Sequence, residues 1–170
     1  MKYYIIAGEA SGDLHGSNLI KEIIDLDPNA DIRAWGGDKM KDAGAVVVKH
    51  FKDLAFMGFY EVLINIRTIL KNISFCKKDI LSFNPDKIIF IDYPGFNMRI
   101  AKWSKKYKFE TIYYIAPQLW AWNEKRIKEI KKYINSLYVI LPFEKEFFES
   151  KHNYPVKFLG HPLADSIYNF

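Results

Sequence analysis

The 170-residue chain lacks most of the features that assign a protein quickly to a functional class. Its one cysteine, Cys76, excludes an internal disulfide and a cysteine-based zinc site, and it fits a reducing compartment. No segment reaches the about 18 apolar residues that a membrane-spanning helix needs, and the apolar run within residues 1–10 is too short for a signal peptide. The four histidines include no pair at the i, i+4 spacing of a metal site. We therefore expect neither a metal nor a cofactor.

Residues 8–13 carry two glycines between an apolar run and a predicted helix, but they match neither of two common motifs. The glycine order differs from the dinucleotide-binding pattern G-x-G-x-x-G, and Ser11 directly precedes Gly12, unlike the serine of a G-x-S-x-G nucleophile elbow. The carboxylates of Glu9 and Asp13 disfavour a phosphate cradle. We interpret the segment as a loop for sugar hydroxyls or for acid/base chemistry. The alternative is a simple turn in which Asp13 caps the following helix.

The composition is that of a globular protein rich in aromatic residues. Apolar residues make up 49% of the chain and aromatic residues 16%, and the length fits one domain. The net formal charge of +5 permits binding to phosphates, to an anionic bilayer or to nucleic acid, but it selects none of them.

Short apolar runs alternate with helical patterns along the chain. Strands are predicted near residues 2–7, 31–35, 45–48, 87–92, 110–115, 136–141 and 156–159. Helices are predicted near residues 14–26, 38–43, 59–83, 96–107, 122–133 and 143–150. This alternation predicts an α/β fold, a Rossmann-like parallel sheet with helices on both faces. Ligands of such sheets bind beyond the carboxyl ends of the strands.

Polar and aromatic residues at the predicted strand ends are the candidates for chemistry. Asp92 ends a buried strand, where desolvation raises a carboxyl pKa and favours a base; the alternative is an aspartate that accepts backbone N–H groups in the following turn. Trp120 and Trp122 follow another strand, and their rings suit sugar C–H groups, although core packing explains them equally well. Arg126 lies one turn further on, and His161 follows the last strand.

The predicted helix near residues 59–83 carries an apolar stripe. The stripe either packs on the sheet or contacts a bilayer or acyl chains, with Arg67 and Lys71 beside it. The residues assigned to such a contact are Phe56, Phe59, Val62, Leu63, Ile66, Ile69 and Leu70.

A set of short motifs occurs in one order along the chain. The motifs are residues 7–13, 57–58, 91–92, 96–97, 117–122 with Arg126, 141–144 and 160–163. Together they resemble the lipid-A-disaccharide synthase family over essentially all 170 residues. The resemblance implies the N-terminal half of a GT-B glycosyltransferase, built from two Rossmann-like domains that face each other.

The family resemblance also implies a reaction, its partners and a place in the cell. The reaction is inverting transfer of 2,3-diacylglucosamine from its UDP donor to 2,3-diacylglucosamine 1-phosphate, which forms a β(1→6) disaccharide 1-phosphate and UDP. It implies peripheral binding to the cytoplasmic face of the inner membrane of Gram-negative bacteria, and no nucleic acid. Asp92 becomes the expected base, with Asp13 or Glu9 as alternatives. The implied substrate-binding residues are Gly8, Glu9, Ser11, Gly12, Asp13, Met57, Gly58, Asn97, Gln118, Trp120, Trp122, Arg126 and His161.

Two departures from the family pattern qualify these expectations. Gly95 stands where family members often carry an acidic residue, which removes a helper carboxylate but leaves Asp92. A family member is also about twice as long as this chain. We expect residues 1–165 to form the acceptor-side domain and residues 166–170 to begin the connection to a C-terminal UDP-sugar domain, so that the 170 residues alone have little or no activity.

Two other functional classes remain open from the sequence. The first is a nucleotide-dependent oxidoreductase, against which the carboxylates of residues 8–13 and the missing third glycine count. The second is a non-catalytic lipid-binding module with a Rossmann-like fold.

Overall fold

A computed structural model describes residues 1–54, 66–122 and 124–164, without the side chain of Trp122. Several predicted contacts lie outside the described residues: those of Phe56, Met57, Gly58, Phe59, Val62 and Leu63, and the connection at residues 166–170.

The described residues form one parallel sheet of seven strands in the order β3-β2-β1-β4-β5-β6-β7. The strands are β1 Lys2–Ala7, β2 Asp31–Gly36, β3 Val46–His50, β4 Lys87–Ile91, β5 Glu110–Ile115, β6 Ser136–Val139 and β7 Lys157–Phe158. The strand β1 lies between β2 and β4, so the chain moves outward in one direction through β3 and in the other through β7. This arrangement confirms the predicted Rossmann-like fold class.

Helices connect the strands, as a parallel sheet requires. They are α1 Ala10–Leu26, α2 Asp38–Asp42, α3 Ile66–Phe83, α4 Pro94–Ser104, α5 Leu119–Trp122, α6 Ile127–Tyr133 and α7 Pro142–Glu146. Shorter helical turns lie at Phe51–Leu54, Lys105–Tyr107, Glu124–Arg126 and Phe147–Lys151.

Several predicted helix boundaries were wrong, and two of them change where site residues lie. The helix α1 begins at Ala10 rather than near residue 14, so Ser11, Gly12 and Asp13 lie in its first turn and not in a loop. The helix α4 begins at Pro94 rather than residue 96, because proline is well suited to the first position of a helix.

Alternating side chains of each central strand enter two separate cores. In β4, Ile88 and Phe90 pack beneath helices α3, α4 and α6, whereas Ile89 and Ile91 pack beneath α1 and α2. Both faces of the sheet are therefore covered by helices, which explains the nearly continuous apolar runs of the strands.

The apolar stripe of α3 divides into a buried part and an exposed part. Ile73 is buried and Ile69 packs against the core, whereas Ile66 is 52% and Leu70 is 60% exposed. Among the described residues, no helix is both long enough and apolar enough to cross a membrane.

Asp13 joins two connections of the sheet rather than facing the carboxyl ends of the strands. Its buried carboxylate accepts backbone N–H bonds from Gly37 at 2.7 Å, Met40 at 3.1 Å and Lys39 at 3.2 Å. These donors open α2, where backbone N–H groups have no partner inside the helix. Both oxygens are thus committed to backbone groups, which corrects the prediction that Asp13 binds substrate or acts as a base and the alternative that it caps its own helix.

Replacement of Asp13 by alanine should destabilise the chain by about 3 kcal/mol, because it leaves buried N–H groups of α2 without acceptors. Urea unfolding followed by circular dichroism would measure this loss. Asp42→Ala, which removes an exposed aspartate from α2 itself, is the matched control and should change the free energy of unfolding by under about 0.5 kcal/mol. Equal effects of the two substitutions would contradict this assignment.

Candidate active site

A cavity of about 480 Å³ lies at the carboxyl ends of the strands, where the fold class places ligands. Its polar lining comes from the first turns of α1, the end of β4 and the segments after β5 and β7. These polar or flexible residues are Ser11, Gly12, His15, Asp92, Gln118 and His161. Five of the six were predicted site residues, so the structure brings the first turn of α1, Asp92, Gln118 and His161 together around one cavity.

Asp92 occupies a sharp reversal between β4 and α4. Its φ is 42° and that of Tyr93 is 50°, so two consecutive non-glycine residues lie in the left-handed region. The carbonyl oxygen of Asp92 accepts hydrogen bonds from the Tyr113 hydroxyl at 2.6 Å and from Asn97 Nδ2 at 2.7 Å. The reversal places the Asp92 side chain in the cavity lining instead of continuing the strand.

Asn97 does not line the cavity, in contrast to the prediction. Its side chain is fully buried and donates from Nδ2 to the backbone oxygens of Asp92, Ile91 and Ile6. The sequence suggested a crevice residue because Asn97 follows a strand end, but the turn of α4 directs the amide inward.

The pKa of Asp92 is raised above its ordinary value, chiefly because the carboxyl is partly buried and secondly because Glu9 carries a negative charge nearby. A hydrogen bond from the backbone N–H of Tyr93 opposes part of this rise. The sequence predicted the burial effect from the strand end. The contribution of Glu9 depends on the approach of β1 and β4, so it needs the fold.

Glu9 is the N-cap residue of α1, two residues before Ser11 of the cavity lining. Its exposed carboxylate accepts a hydrogen bond from the Ser11 hydroxyl at 2.6 Å. Asp92 lines the cavity and Glu9 lies close enough for its charge to act on Asp92; of these two carboxyl groups, that of Asp92 is the more buried.

Gly8 permits close packing between the ends of β1 and β4. A Cβ atom on Gly8 would lie 2.4 Å from Cγ of Tyr93, so any side chain here would displace the tyrosine ring. A Cβ on Gly12 would lie 2.9 Å from Cβ of Ala7. The close approach of Tyr93 therefore accounts for a glycine at position 8. At Gly95, by contrast, a Cβ would meet nothing within 4 Å, so the acidic residue of the family pattern would fit there.

The tryptophan segment contributes to the cavity through Gln118, while Trp120 is engaged elsewhere. Trp120 Nε1 donates to Oε1 of Glu144 at 3.1 Å, and its ring meets the edge of Phe143. Glu144 is fully buried, and its other oxygen accepts the N–H groups of Ile140 and Leu141. Trp120 is thus held by a buried carboxylate and does not line this cavity, although it is 38% exposed, so its contact with a sugar face stays a prediction.

Arg126 lies in the short turn before α6, half buried. Its charge lies close enough to Tyr113 to favour the ionised form of that phenol and so to oppose the rise of its pKa. Arg126 is not part of the cavity lining, although its charge acts on a residue that contacts Asp92.

His15 is a site residue that the sequence analysis missed. It lies one helical turn after Ser11 on α1, and its partly buried ring lines the cavity that His161 also lines. Among the described residues, its Nδ1 atom has no hydrogen-bond partner. Burial, and then the charge of His161, lower the pKa of His15, so its imidazole is neutral at neutral pH. The i, i+4 spacing from Ser11 was the signal that could have identified it.

The arrangement suits proton transfer between bound organic groups. It combines a carboxyl of raised pKa, a hydroxyl, an amide and a neutral imidazole, and part of its wall is apolar, from Ile91, Ile115 and Ile140. Within residues 1–54, 66–122 and 124–164, no group of three or more histidine, cysteine, aspartate or glutamate side chains could hold a metal ion.

A family model and curated relatives match this chain over nearly all of its length, and they carry the same family description. Residues 3–170 match the family model described as lipid-A-disaccharide synthetase. The lipid-A-disaccharide synthase of Geobacter metallireducens is 45% identical over 163 residues, which cover 96% of this chain and 42% of that protein. That of Coxiella burnetii is 42% identical over 162 residues, which cover 95% of this chain and 43% of that protein. The chain therefore spans less than half the length of these relatives.

Solved structures share the fold. The UDP-GlcNAc 2-epimerase from Neisseria meningitidis bound to UDP-GlcNAc superposes with a TM-score of 0.67 over 99% of this chain and 49% of that one, at 13% identity. At this identity the likeness concerns the fold alone, and it supports the Rossmann-like, GT-B-like architecture.

The raised pKa of Asp92 predicts a pH-dependent stability difference for Asp92→Asn. The wild-type carboxyl is protonated without penalty below its unfolded pKa of about 3.9, and stability falls as pH rises through the folded pKa. Asparagine, which tolerates left-handed φ, avoids this loss. The variant should be more stable than wild type at pH 7–8, with a gain that shrinks toward pH 4. Thermal unfolding at several pH values would measure it.

Asp25→Asn, on the exposed face of α1, serves as the control and should show little pH-dependent difference. A constant offset between Asp92→Asn and wild type from pH 4 to pH 8 would contradict the proposed burial effect.

Proposed function

The chain belongs to the lipid-A-disaccharide synthetase family, and from this premise we propose that it supplies the acceptor-side half of an inverting glycosyltransferase of lipid A biosynthesis. The donor is UDP-2,3-diacylglucosamine and the acceptor is 2,3-diacylglucosamine 1-phosphate. The observation that carries the proposal is Asp92, a partly buried carboxyl of raised pKa at the carboxyl ends of the strands.

In the proposed reaction, Asp92 is the general base. The 6-hydroxyl oxygen of the acceptor attacks the anomeric carbon of the donor from the side opposite UDP. A new C–O bond forms, the bond between the anomeric carbon and the UDP oxygen breaks, and the hydroxyl proton moves to the Asp92 carboxylate. The configuration inverts, and UDP leaves with the bonding electrons. The raised pKa of Asp92 makes its ionised form a stronger proton acceptor.

Other residues of the cavity would bind and orient the acceptor. The Ser11 hydroxyl and the Gln118 amide offer hydrogen bonds to sugar hydroxyls, and the neutral His15 can donate or accept one. The apolar part of the wall limits the water that competes with the acceptor hydroxyl. Because the relatives are more than twice as long as this chain, we assign the UDP contacts to the remaining part of such a protein.

We further propose that the protein binds the cytoplasmic face of the inner membrane peripherally, through the helices of one side. Helices α3, α4 and α6 pack side by side on one face of the sheet. Residues 66–83, 94–108 and 124–133, which we call the basic layer, carry fourteen lysines and arginines and three carboxylates. The rest of the chain has eleven cations and seventeen carboxylates. A net charge of +11 on one side against −6 elsewhere favours an anionic bilayer facing the basic layer.

Exposed apolar side chains lie beside these charges. Ile66 and Leu70 are more than half exposed at the start of α3, the helix whose preceding residues carry the rest of the predicted stripe. Apolar side chains next to lysines suit the boundary between headgroups and acyl chains.

The base is tested in a chimera in which this chain replaces the corresponding 163-residue segment of the Geobacter metallireducens relative. With both lipid substrates the chimera should release UDP, and Asp92→Asn should lower kcat by about 10²–10⁴-fold, because a general base is lost. Asparagine suits the backbone at this position, so the fold should be retained.

Glu9→Gln tests the neighbouring carboxylate in the same chimera, and Asp25→Asn controls for the loss of a remote charge. Near-normal kcat in Asp92→Asn with a large loss in Glu9→Gln would move the base to Glu9. A folded chimera that releases no UDP would contradict the proposed reaction.

The membrane surface is tested with the chain itself and sedimented vesicles. Reversal of three exposed lysines of the basic layer, Lys102→Glu, Lys106→Glu and Lys128→Glu, should weaken binding to phosphatidylglycerol vesicles by about 10²-fold or more, since each cation contributes about 1 kcal/mol. Phosphatidylcholine vesicles should bind weakly, and salt should weaken the binding to anionic vesicles.

The matched control reverses three exposed lysines of α1 and α2, Lys21→Glu, Lys39→Glu and Lys41→Glu, which gives the same net charge. This control should retain binding. Equal loss in both triple variants would show that only net charge matters and would contradict a contact through the basic layer.

A further inference from the structure

We propose that Tyr113 and Asn97 are positioning residues that aim the Asp92 carboxyl into the cavity by holding the carbonyl oxygen of Asp92 itself. The proposal uses the role of Asp92 in the proposed function, but the geometry stands without it. Both donors reach the same backbone oxygen, the hydroxyl at 2.6 Å and the amide at 2.7 Å. Neither residue lines the cavity.

The backbone at this point needs external support. Asp92 and Tyr93 both have positive φ, a conformation that is unfavourable for a non-glycine residue and persists only where surrounding contacts impose it. The N–H of Asp92 still donates to the Ile115 oxygen at 3.2 Å, as in the parallel ladder. The chain therefore leaves the strand within this one residue, and the orientation of its side chain depends on where its carbonyl is held.

The two donors come from rigid parts of the fold. Tyr113 lies in β5 and is fully buried. Asn97 lies in α4, is also fully buried, and its Nδ2 atom is within 3.5 Å of the oxygens of Ile6 and Ile91. We call these two hydrogen bonds to the Asp92 carbonyl oxygen the clamp. The clamp links the reversal to β1, β4 and β5, the three central strands.

The Tyr113 hydroxyl stays protonated at neutral pH. Burial, and then the nearby charge of Asp92, raise the pKa of Tyr113 well above its ordinary value near 10. The phenol thus remains a hydrogen-bond donor whether Asp92 is protonated or ionised.

The residue after Asp92 is fixed as well. The carbonyl oxygen of Tyr93 accepts the N–H of Asn97 at 3.0 Å and opens α4. The Tyr93 ring lies between Gly8 and Phe96, with ring centroids of Tyr93 and Phe96 5.5 Å apart. The N–H of Asp92 and the carbonyl and ring of Tyr93 are therefore held in place. Only release of the Asp92 carbonyl oxygen would then let the Asp92 carboxyl move.

Tyr113→Phe removes one donor and retains the ring, so we would compare it with wild type by NMR of the 170-residue chain. Relaxation of the turn should change the backbone chemical shifts and φ-dependent couplings of Asp92 and Tyr93. The carboxyl would gain solvent, so the Asp92 pKa should shift down toward its ordinary value near 3.9.

Tyr154→Phe is the matched control, because the Tyr154 hydroxyl also donates to a backbone oxygen, that of Ile134 at 3.1 Å, away from the cavity. It should destabilise the chain by a similar amount and leave the titration of Asp92 unchanged. Asn97→Ser, which shortens the second donor, should act on Asp92 in the same direction as Tyr113→Phe.

An unchanged titration and unchanged shifts of Asp92 in Tyr113→Phe would overturn the proposal, as would an equal pKa shift in Tyr154→Phe. In the chimera, Tyr113→Phe should lower kcat by up to roughly 10²-fold with KM retained, because misplacement of a catalytic group costs rate. The NMR result does not depend on turnover. Failure of the proposed reaction and failure of the clamp are thus separate outcomes.

Discussion

The placement of β4 between β1 and β5 is the constraint on which the rest of this structure depends. The parallel ladders bring the end of β4 beside Gly8 on one side and Ile115 on the other. Because both faces of the sheet are buried under helices, the strand ends are where a ligand can approach the central strands. The carboxyl group of Asp92, its two buried donors and the packing of Tyr93 on Gly8 all follow from this one alignment.

Much of the fold could be predicted because its signals are local. The central strands are short apolar runs. Five of the seven predicted strands begin at the observed residue, and the other two, β3 and β7, were predicted to begin one residue too early. The signals that failed are long-range. Asp13 accepts hydrogen bonds from backbone groups 24 to 27 residues away, and α4 turns the Asn97 side chain inward. No local sequence pattern distinguishes either residue from one that faces a ligand. His15 shares a helix face with Ser11 through its i, i+4 spacing, but it was missed because that spacing alone does not show that the face borders a cavity.

The carboxyl groups of Asp13, Glu144 and Asp92 are all buried or partly buried, but they differ in their hydrogen-bond partners. Asp13 accepts three backbone N–H groups, and Glu144 accepts two together with the indole of Trp120. Both groups have their oxygens occupied and hold loops in place. Asp92 is left with little compensation for its burial, and its pKa rises. The sequence shows three similar acidic residues near strand ends, but only their hydrogen-bond partners separate the two structural carboxylates from the one that we propose as the base.

The separation of charge between the basic layer and the rest of the chain has a kinetic consequence. Positive charge concentrated in the basic layer, against a negative net charge over the rest of the chain, gives the molecule a large electric dipole. Near any negatively charged surface, such a dipole experiences a torque before contact is made, within a distance set by the Debye length of about 8 Å at physiological salt. The molecule would arrive already turned, so more of its encounters would be productive, and raising the salt would slow association more than it speeds release.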